Sequence, residues 1–154
     1  MQPVSRCNMT LKRSIAAIAI TVVCTSLALP AGAQTQERYK VRLSPVPLDG
    51  TNRANIAGSG SATGVLAGAK LTITGTFEGL RSPATAARLH RGLATGVRGS
   101  PFQDLTFSKG TNGTITGSID LTPDQVQSLK KGQLYIQIYS EKAPDGNLWG
   151  WLLR

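Results

Sequence analysis

Among its 154 residues the chain has one histidine, His90, and two cysteines, Cys7 and Cys24. A single histidine excludes histidine-cluster metal sites, because a transition metal draws three or four converging N, S or O ligands. It also leaves one imidazole to serve any serine nucleophile, and no Gly-x-Ser-x-Gly elbow is present to hold one. Acids are scarce too: eight Asp and Glu stand against 17 Lys and Arg, for a net charge of +9. Glu78, Asp104, Asp120 and Glu141 are spread along the chain, so no carboxylate pair for acid–base chemistry follows from spacing. The run Gly58-Ser-Gly60-Ser-Ala-Thr-Gly64 has no βαβ unit after it and no P-loop lysine, which excludes a nucleotide cradle. The sequence predicts neither a catalytic set nor a cofactor.

What is present begins with an address. Arg6, Lys12 and Arg13 form a positive start, Ile15 to Leu29 is uncharged and apolar, and Pro30 precedes the small residues Ala31-Gly32-Ala33. That order predicts a secretory signal peptide over residues 1–33, cleaved after Ala33, and a periplasmic or secreted product. The apolar stretch, about 15 residues, is shorter than the roughly 20 that span a bilayer as a helix, so no transmembrane segment is expected after cleavage. A lipoprotein start at Cys24 would want a small residue where Val23 stands. Removal of the segment takes both cysteines with it and lowers the net charge to +6, leaving residues 34–154 as one domain without thiols. The basic excess fits an anionic envelope partner, with no nucleic acid called for, although a well-solvated surface is the simpler explanation.

The remaining chain is β-patterned. Tyr39, Val41 and Leu43 alternate with Arg38, Lys40 and Arg42; Leu71, Ile73 and Phe77 with Thr72, Thr74 and Thr76; Ile115, Ile119 and Leu121 with Thr114, Thr116 and Asp120. A period of two is that of half-buried strands. Leu134, Ile136 and Ile138 repeat it, and Pro144-Asp145-Gly146 reads as a turn before a last strand, Leu148 to Leu153. The Gly-rich stretch Ile56 to Leu66 reads either as a strand beneath close backbone or as a weakly ordered edge. One short helix is predicted from Thr122-Pro-Asp-Gln125 to Gly132, with Val126 and Leu129 as its apolar face. The expected fold is all-β, a Greek-key β-sandwich or barrel of seven or eight strands with one short helix.

Four ordered stretches then carry a resemblance: Leu43-Ser44 with Val46-Pro47; Thr76-Phe-Glu-Gly-Leu80 with Ser82-Pro-Ala-Thr-Ala-Ala87; Leu89-His90-Arg-Gly92; and Leu121-Thr-Pro-Asp-Gln-Val through Leu129, Tyr135 and Asp145-Gly146 to Gly150. In these the chain resembles the CHRD domain, the module named after chordin, over roughly Tyr39 to Leu153. The resemblance implies an immunoglobulin-like or superoxide-dismutase-like β-barrel and no established enzymatic activity. Members of that family commonly carry Ala-His-Ile-His where this chain has Ala87-Arg88-Leu89-His90, a histidine where it has Tyr139, and an acid where it has Asn147. If that general pattern is a metal site, one nitrogen ligand of three remains, and His90 is a weak metal candidate.

On a strand Arg88 and His90 share a face and Leu89 takes the other. A guanidinium has no free lone pair and repels a cation, so Arg88 with His90, joined by Arg91 and Arg98, fits an anion-binding face better than a metal. A strand-end histidine bonded to a nearby loop is the simpler alternative. Trp149, Trp151 and Leu153 share a face opposite Leu148, Gly150 and Leu152, as a sugar-stacking strip or as packing. The candidate ligand-binding residues are therefore Arg88, His90, Arg91, Arg98, Tyr139, Trp149 and Trp151. Two function classes follow: a non-catalytic exported module that binds an anionic glycan or a protein of the cell envelope, and a metal-binding enzyme of the superoxide-dismutase kind.

Overall fold

The computed structural model describes Thr35–Arg154. The expected signal segment and both cysteines lie outside the described residues. Nine strands and one helix follow in order: β1 (Gln36–Pro45), β2 (Ser59–Ala67), β3 (Lys70–Glu78), β4 (Ala84–Arg91), β5 (Ser100–Asp104), β6 (Thr106–Phe107), β7 (Gly113–Asp120), α1 (Pro123–Lys130), β8 (Leu134–Ser140) and β9 (Ala143–Trp151). They form one antiparallel sheet in the order β5-β4-β8-β9-β1-β2-β3-β7-β6. Its two ends are one piece of chain. β5 pairs with β4 and β6 with β7, and between them the Leu105 N–H donates to Ala87 O at 2.8 Å. The sheet is thereby nearly closed, which covers edges that would otherwise expose unpaired backbone. With β5 and β6 counted as one bent strand, the path β4, bent strand, β7 returns beside the earlier β3, which is a Greek key. The expected all-β barrel is what forms.

Alternation decides which side chains fill it. Tyr39, Val41, Leu43, Leu71, Ile73, Phe77, Ile115 and Ile119 are buried, while the intervening Lys, Arg and Thr of β1, β3 and β7 face solvent. The Gly-rich stretch is β2, and close approach explains its composition. A Cβ at Gly64 would lie 3.0 Å from Leu152 Cδ2, and one at Gly60 would collide with Thr76 O. The helix starts with the predicted capping box: Thr122 Oγ1 accepts from the Gln125 N–H, and Gln125 Oε1 accepts from the Thr122 N–H. Leu129 enters the main core, and Val126 packs against it. No helix among the described residues is long and apolar enough to cross a membrane.

One turn lies elsewhere than expected. Ser140 pairs with Ala143, so Glu141-Lys142 is the β8–β9 turn, and Pro144-Asp145-Gly146 lies within β9. The register shifts between Ile138 and Ser140, and this irregularity accommodates a proline that cannot donate to the ladder. Gly146 takes φ +123°, and a side chain there would collide with Gln137 Nε2. The local Pro-Asp-Gly signal marks a kink.

Strand β8 departs from simple alternation. Every residue from Leu134 to Ile138 is buried, together with Ser140, so this strand is covered on both faces. Its inner side joins the core. The outer side lies beneath the Gly92–Gly99 loop, and the segment between β1 and β2 covers the adjacent part of β9, where Val46 and Ile56 pack on Trp149 and Ala143. All the candidate residues but Arg91 lie on or over that second layer.

Candidate functional site

Register places the outer layer residue by residue. Arg88 lies opposite Gln137 and His90 opposite Tyr135 across β4 and β8; Gln137 lies opposite Trp149 and Tyr135 opposite Trp151 across β8 and β9. Four of the chain's eight aromatic residues, Tyr135, Tyr139, Trp149 and Trp151, gather here with the only histidine. Tyr135 is central. Its ring stacks on His90 at 4.8 Å between centroids and lies 4.4 Å from the Trp151 ring, with Trp149 edge-on at 6.1 Å.

His90 is 4% exposed, and both ring nitrogens have partners. Nδ1 lies 3.0 Å from Gly99 O and Nε2 lies 2.9 Å from the Tyr139 hydroxyl. A carbonyl only accepts, so Nδ1 carries the proton and Nε2 accepts from Tyr139. The Tyr135 hydroxyl completes the set, accepting from the Gly99 N–H at 3.0 Å and donating to Gly99 O at 3.2 Å. Gly99 suits this close docking, because a Cβ there would strike Arg91 O. Burial, reinforced by the charges of Arg88 and Arg98, holds the His90 pKa below its ordinary value despite the opposing bond to Gly99. The imidazole is a neutral fastener for the Gly92–Gly99 loop.

These facts answer the metal expectation on chemical grounds. The one nitrogen lone pair, on Nε2, is committed to Tyr139, and the Arg88 guanidinium shares the face. Asn147, at the position the family pattern gives to an acid, is fully buried. Its amide donates to Ser140 Oγ at 2.9 Å, while its Oδ1 has no partner. Among the described residues no three His, Cys, Asp or Glu side chains converge on a point. The residues present do not fit a metal.

The expected anion face is also only partly assembled. Arg88 is on it, but its Nε donates to Asp104 Oδ1 at 2.9 Å, and its guanidinium lies 5.6 Å from the Tyr139 ring centroid. Arg91 pairs in register with Leu134, a core residue, and so falls on the other parity of β4, away from Arg88 and His90. Arg98 reaches over the layer, its guanidinium 5.6 Å from the Trp149 centroid and its Nη1 donating to Asp145 O at 3.2 Å. Trp149 and Trp151 are half-buried, so they line neither the main core nor an open strip.

Beside this layer a cleft of about 500 Å³ opens between the β1–β2 segment, Arg98 and the start of β9. Val46, Ile56 and Ala143 line its apolar side and pack on Trp149. Asn55, Arg98, Lys142 and Asp145 supply polar groups. One wall is preorganised by Asp49, whose Oδ1 accepts from the Thr51 hydroxyl and from the backbone of Thr51 and Asn52 at 2.7 to 2.9 Å. The same bonds, the Thr51 hydroxyl foremost, hold the Asp49 carboxyl below its usual pKa. Asn52 locks the turn by donating to Pro47 O and accepting from the Asp49 N–H. Arg98 and Lys142 are balanced by Asp49 and Asp145, so the cleft is polar and not strongly basic.

Of the residues expected from sequence, Arg98 lines this cleft and Trp149 lies beneath its apolar side; Asn55 and Lys142 of the cleft, and Tyr135 of the adjacent layer, were not among them. Tyr135 was legible, since it shares the period-two face of Tyr139. Asn55 and Lys142 lie in connections, where no periodicity reports direction.

No curated protein and no solved structure matches the chain. The sequence model of the CHRD domain matches residues 43–152, which take in the end of β1, all of β2 to β9, the helix, the His90 layer and the cleft. The chain belongs to the CHRD domain family.

Proposed function

We propose that the protein is an exported, non-catalytic binding module whose β-barrel holds a saccharide of the cell envelope in the cleft above Trp149. The observation that carries this reading is the cleft itself, a concave, preorganised site of about 500 Å³ with one apolar wall and several convergent polar groups. Its lining is more polar than apolar, which suits a hydroxyl-rich ligand better than a greasy one. Sugar rings match it, because their C–H faces suit Val46, Ile56 and Ala143 while their hydroxyls pair with Asn55, Arg98 and Lys142. The balanced charge favours a hydroxyl-rich ligand over a densely anionic one. Export rests on the predicted signal peptide, and the N-terminus of the exported protein is expected at Gln34.

Calorimetric titration with peptidoglycan fragments, a polyuronate and a neutral glucan tests the reading. One of these glycans binds, and Asn55→Leu and Arg98→Gln each weaken it about tenfold, as loss of a polar contact to a ligand does. Raising salt changes the affinity little, since the cleft carries no excess charge. Absence of binding to all three probes, or binding indifferent to both substitutions, overturns it.

A further inference from the structure

Three of the four exposed large apolar side chains among the described residues lie toward one end of the barrel. Leu93 is 84% exposed, Leu153 45% and Val97 44%. Their positions are built by bonds between neighbouring segments. The Gly92 N–H donates to Gln133 O, Gln133 Nε2 donates to Leu93 O at 2.7 Å, and Thr95 Oγ1 donates to Gly132 O at 2.8 Å. A Cβ at Gly132 would lie 3.1 Å from both Thr95 Oγ1 and Leu153 Cδ2, so the loop and the C-terminal segment flank the same turn. A Cβ at Gly92 would likewise lie 3.0 Å from the tip of the half-buried Trp151 ring. Fixing two apolar side chains on a braced loop exposes them in a way that folding alone does not require.

The surrounding charge is predominantly positive. Arg91 precedes the loop, Lys130 and Lys131 end the helix beside Gly132, and Arg154 follows Leu153. The acid at this end, Glu37, is engaged by Arg154 and by Lys130, and Arg154 foremost holds its pKa at about 2. Arg91 and Lys131 have no acidic partner among the described residues. Apolar tips flanked by two unpaired cations, Arg91 and Lys131, match a membrane surface, whose phosphates attract the cations while its acyl boundary accepts the tips. A soluble anionic polymer would use the cations and leave Leu93 and Val97 idle.

We propose that this end of the barrel docks on an anionic phospholipid surface, with Leu93 and Val97 entering the headgroup region and Arg91 and Lys131 contacting phosphates. Of the cleft's polar residues only Arg98 belongs to this loop; Asn55, Lys142 and Asp145 lie on other segments.

Co-sedimentation of the exported protein, its N-terminus verified by mass spectrometry, with vesicles of phosphatidylcholine alone or with phosphatidylglycerol tests the proposal. Binding to the phosphatidylglycerol vesicles is expected, with little to phosphatidylcholine alone. Leu93→Ser with Val97→Ser lowers it at least tenfold, because burial of even one such side chain is worth about that factor. Arg91→Gln with Lys131→Gln lowers it about tenfold and removes most of its salt dependence. Asn55→Leu, an uncharged cleft position outside this loop, leaves it unchanged, which separates failure here from failure of the saccharide reading. Thermal melting checks that the variants fold, as substitutions at exposed positions should allow. Absence of binding to phosphatidylglycerol vesicles overturns the proposal. So does binding indifferent to the loss of Leu93 and Val97, which would indicate a polyanion site without lipid insertion.

Discussion

Replacing Tyr139 with phenylalanine removes one oxygen atom and isolates the role of the His90 layer. In the native arrangement the Tyr139 hydroxyl donates to His90 Nε2 at 2.9 Å, and His90 is nearly sealed from solvent. The variant leaves that nitrogen as a buried acceptor without a partner. Changing tautomer offers no escape, since a bare Nδ1 would then face the lone pairs of Gly99 O, 3.0 Å away. A stranded buried acceptor costs about 1–3 kcal/mol. For a domain of this size each kcal/mol lowers Tm by about 3–5 °C, so a drop of roughly 3–15 °C is expected. The assay is thermal and urea unfolding of the wild type, Tyr139→Phe, His90→Leu and the double variant. With His90 already leucine, the second substitution strands nothing, and the coupling between the positions is about 1 kcal/mol or more. A Tm loss under about 2 °C, or additive effects, would refute the assigned tautomer and the fastening role.

Three further outcomes follow from the same geometry. The unfolded imidazole takes up a proton near pH 6.5 while His90 in the fold titrates lower, so the unfolded chain gains the proton first as pH falls. The corresponding stability is whole above about pH 6.5 and declines below it, by at most about 1.4 kcal/mol per pH unit. Urea unfolding at pH 7.5 and 5.5 checks this, and His90→Gln should lose less than the wild type between the two. Thr122→Ala removes the N-cap acceptor of the helix and costs about 1 kcal/mol by thermal melting, with glycan binding untouched. Asn147→Leu combined with Ser140→Ala removes a buried bond together with an unpaired acceptor, so chemical denaturation should find it less damaging than Ser140→Ala alone, which strands the amide.

The barrel was legible because its strands are amphipathic with a period of two, and a period of two fixes direction once one face is buried. Arg88 and His90 were correctly paired on one face for that reason. Their partners were not legible. Asp104 meets Arg88 only because β5 folds back on β4, and Gly99 reaches His90 only through a loop whose path is set by Tyr135. The Pro-Asp-Gly run misled because its conformational preference is local, whereas the pairing of Ser140 with Ala143 is a property of the hairpin. A lone histidine among arginines suggested an anion site. In the fold it is a neutral bridge between a strand and a loop, and the cleft lies to one side of it.

The most direct test of the central claim is the footprint of a bound glycan on the ¹⁵N-resolved NMR spectrum. The glycan that binds most tightly among peptidoglycan fragments, polyuronate and neutral glucan is titrated into a protein comprising residues 34–154. Shifts should concentrate at Asn55, Lys142, the Arg98 side chain and the Trp149 indole N–H, leaving Leu93 and the outer threonines of β3 unmoved. Shifts scattered over the barrel, or confined to the Thr72–Thr76 face, would contradict a binding module built around the cleft above Trp149.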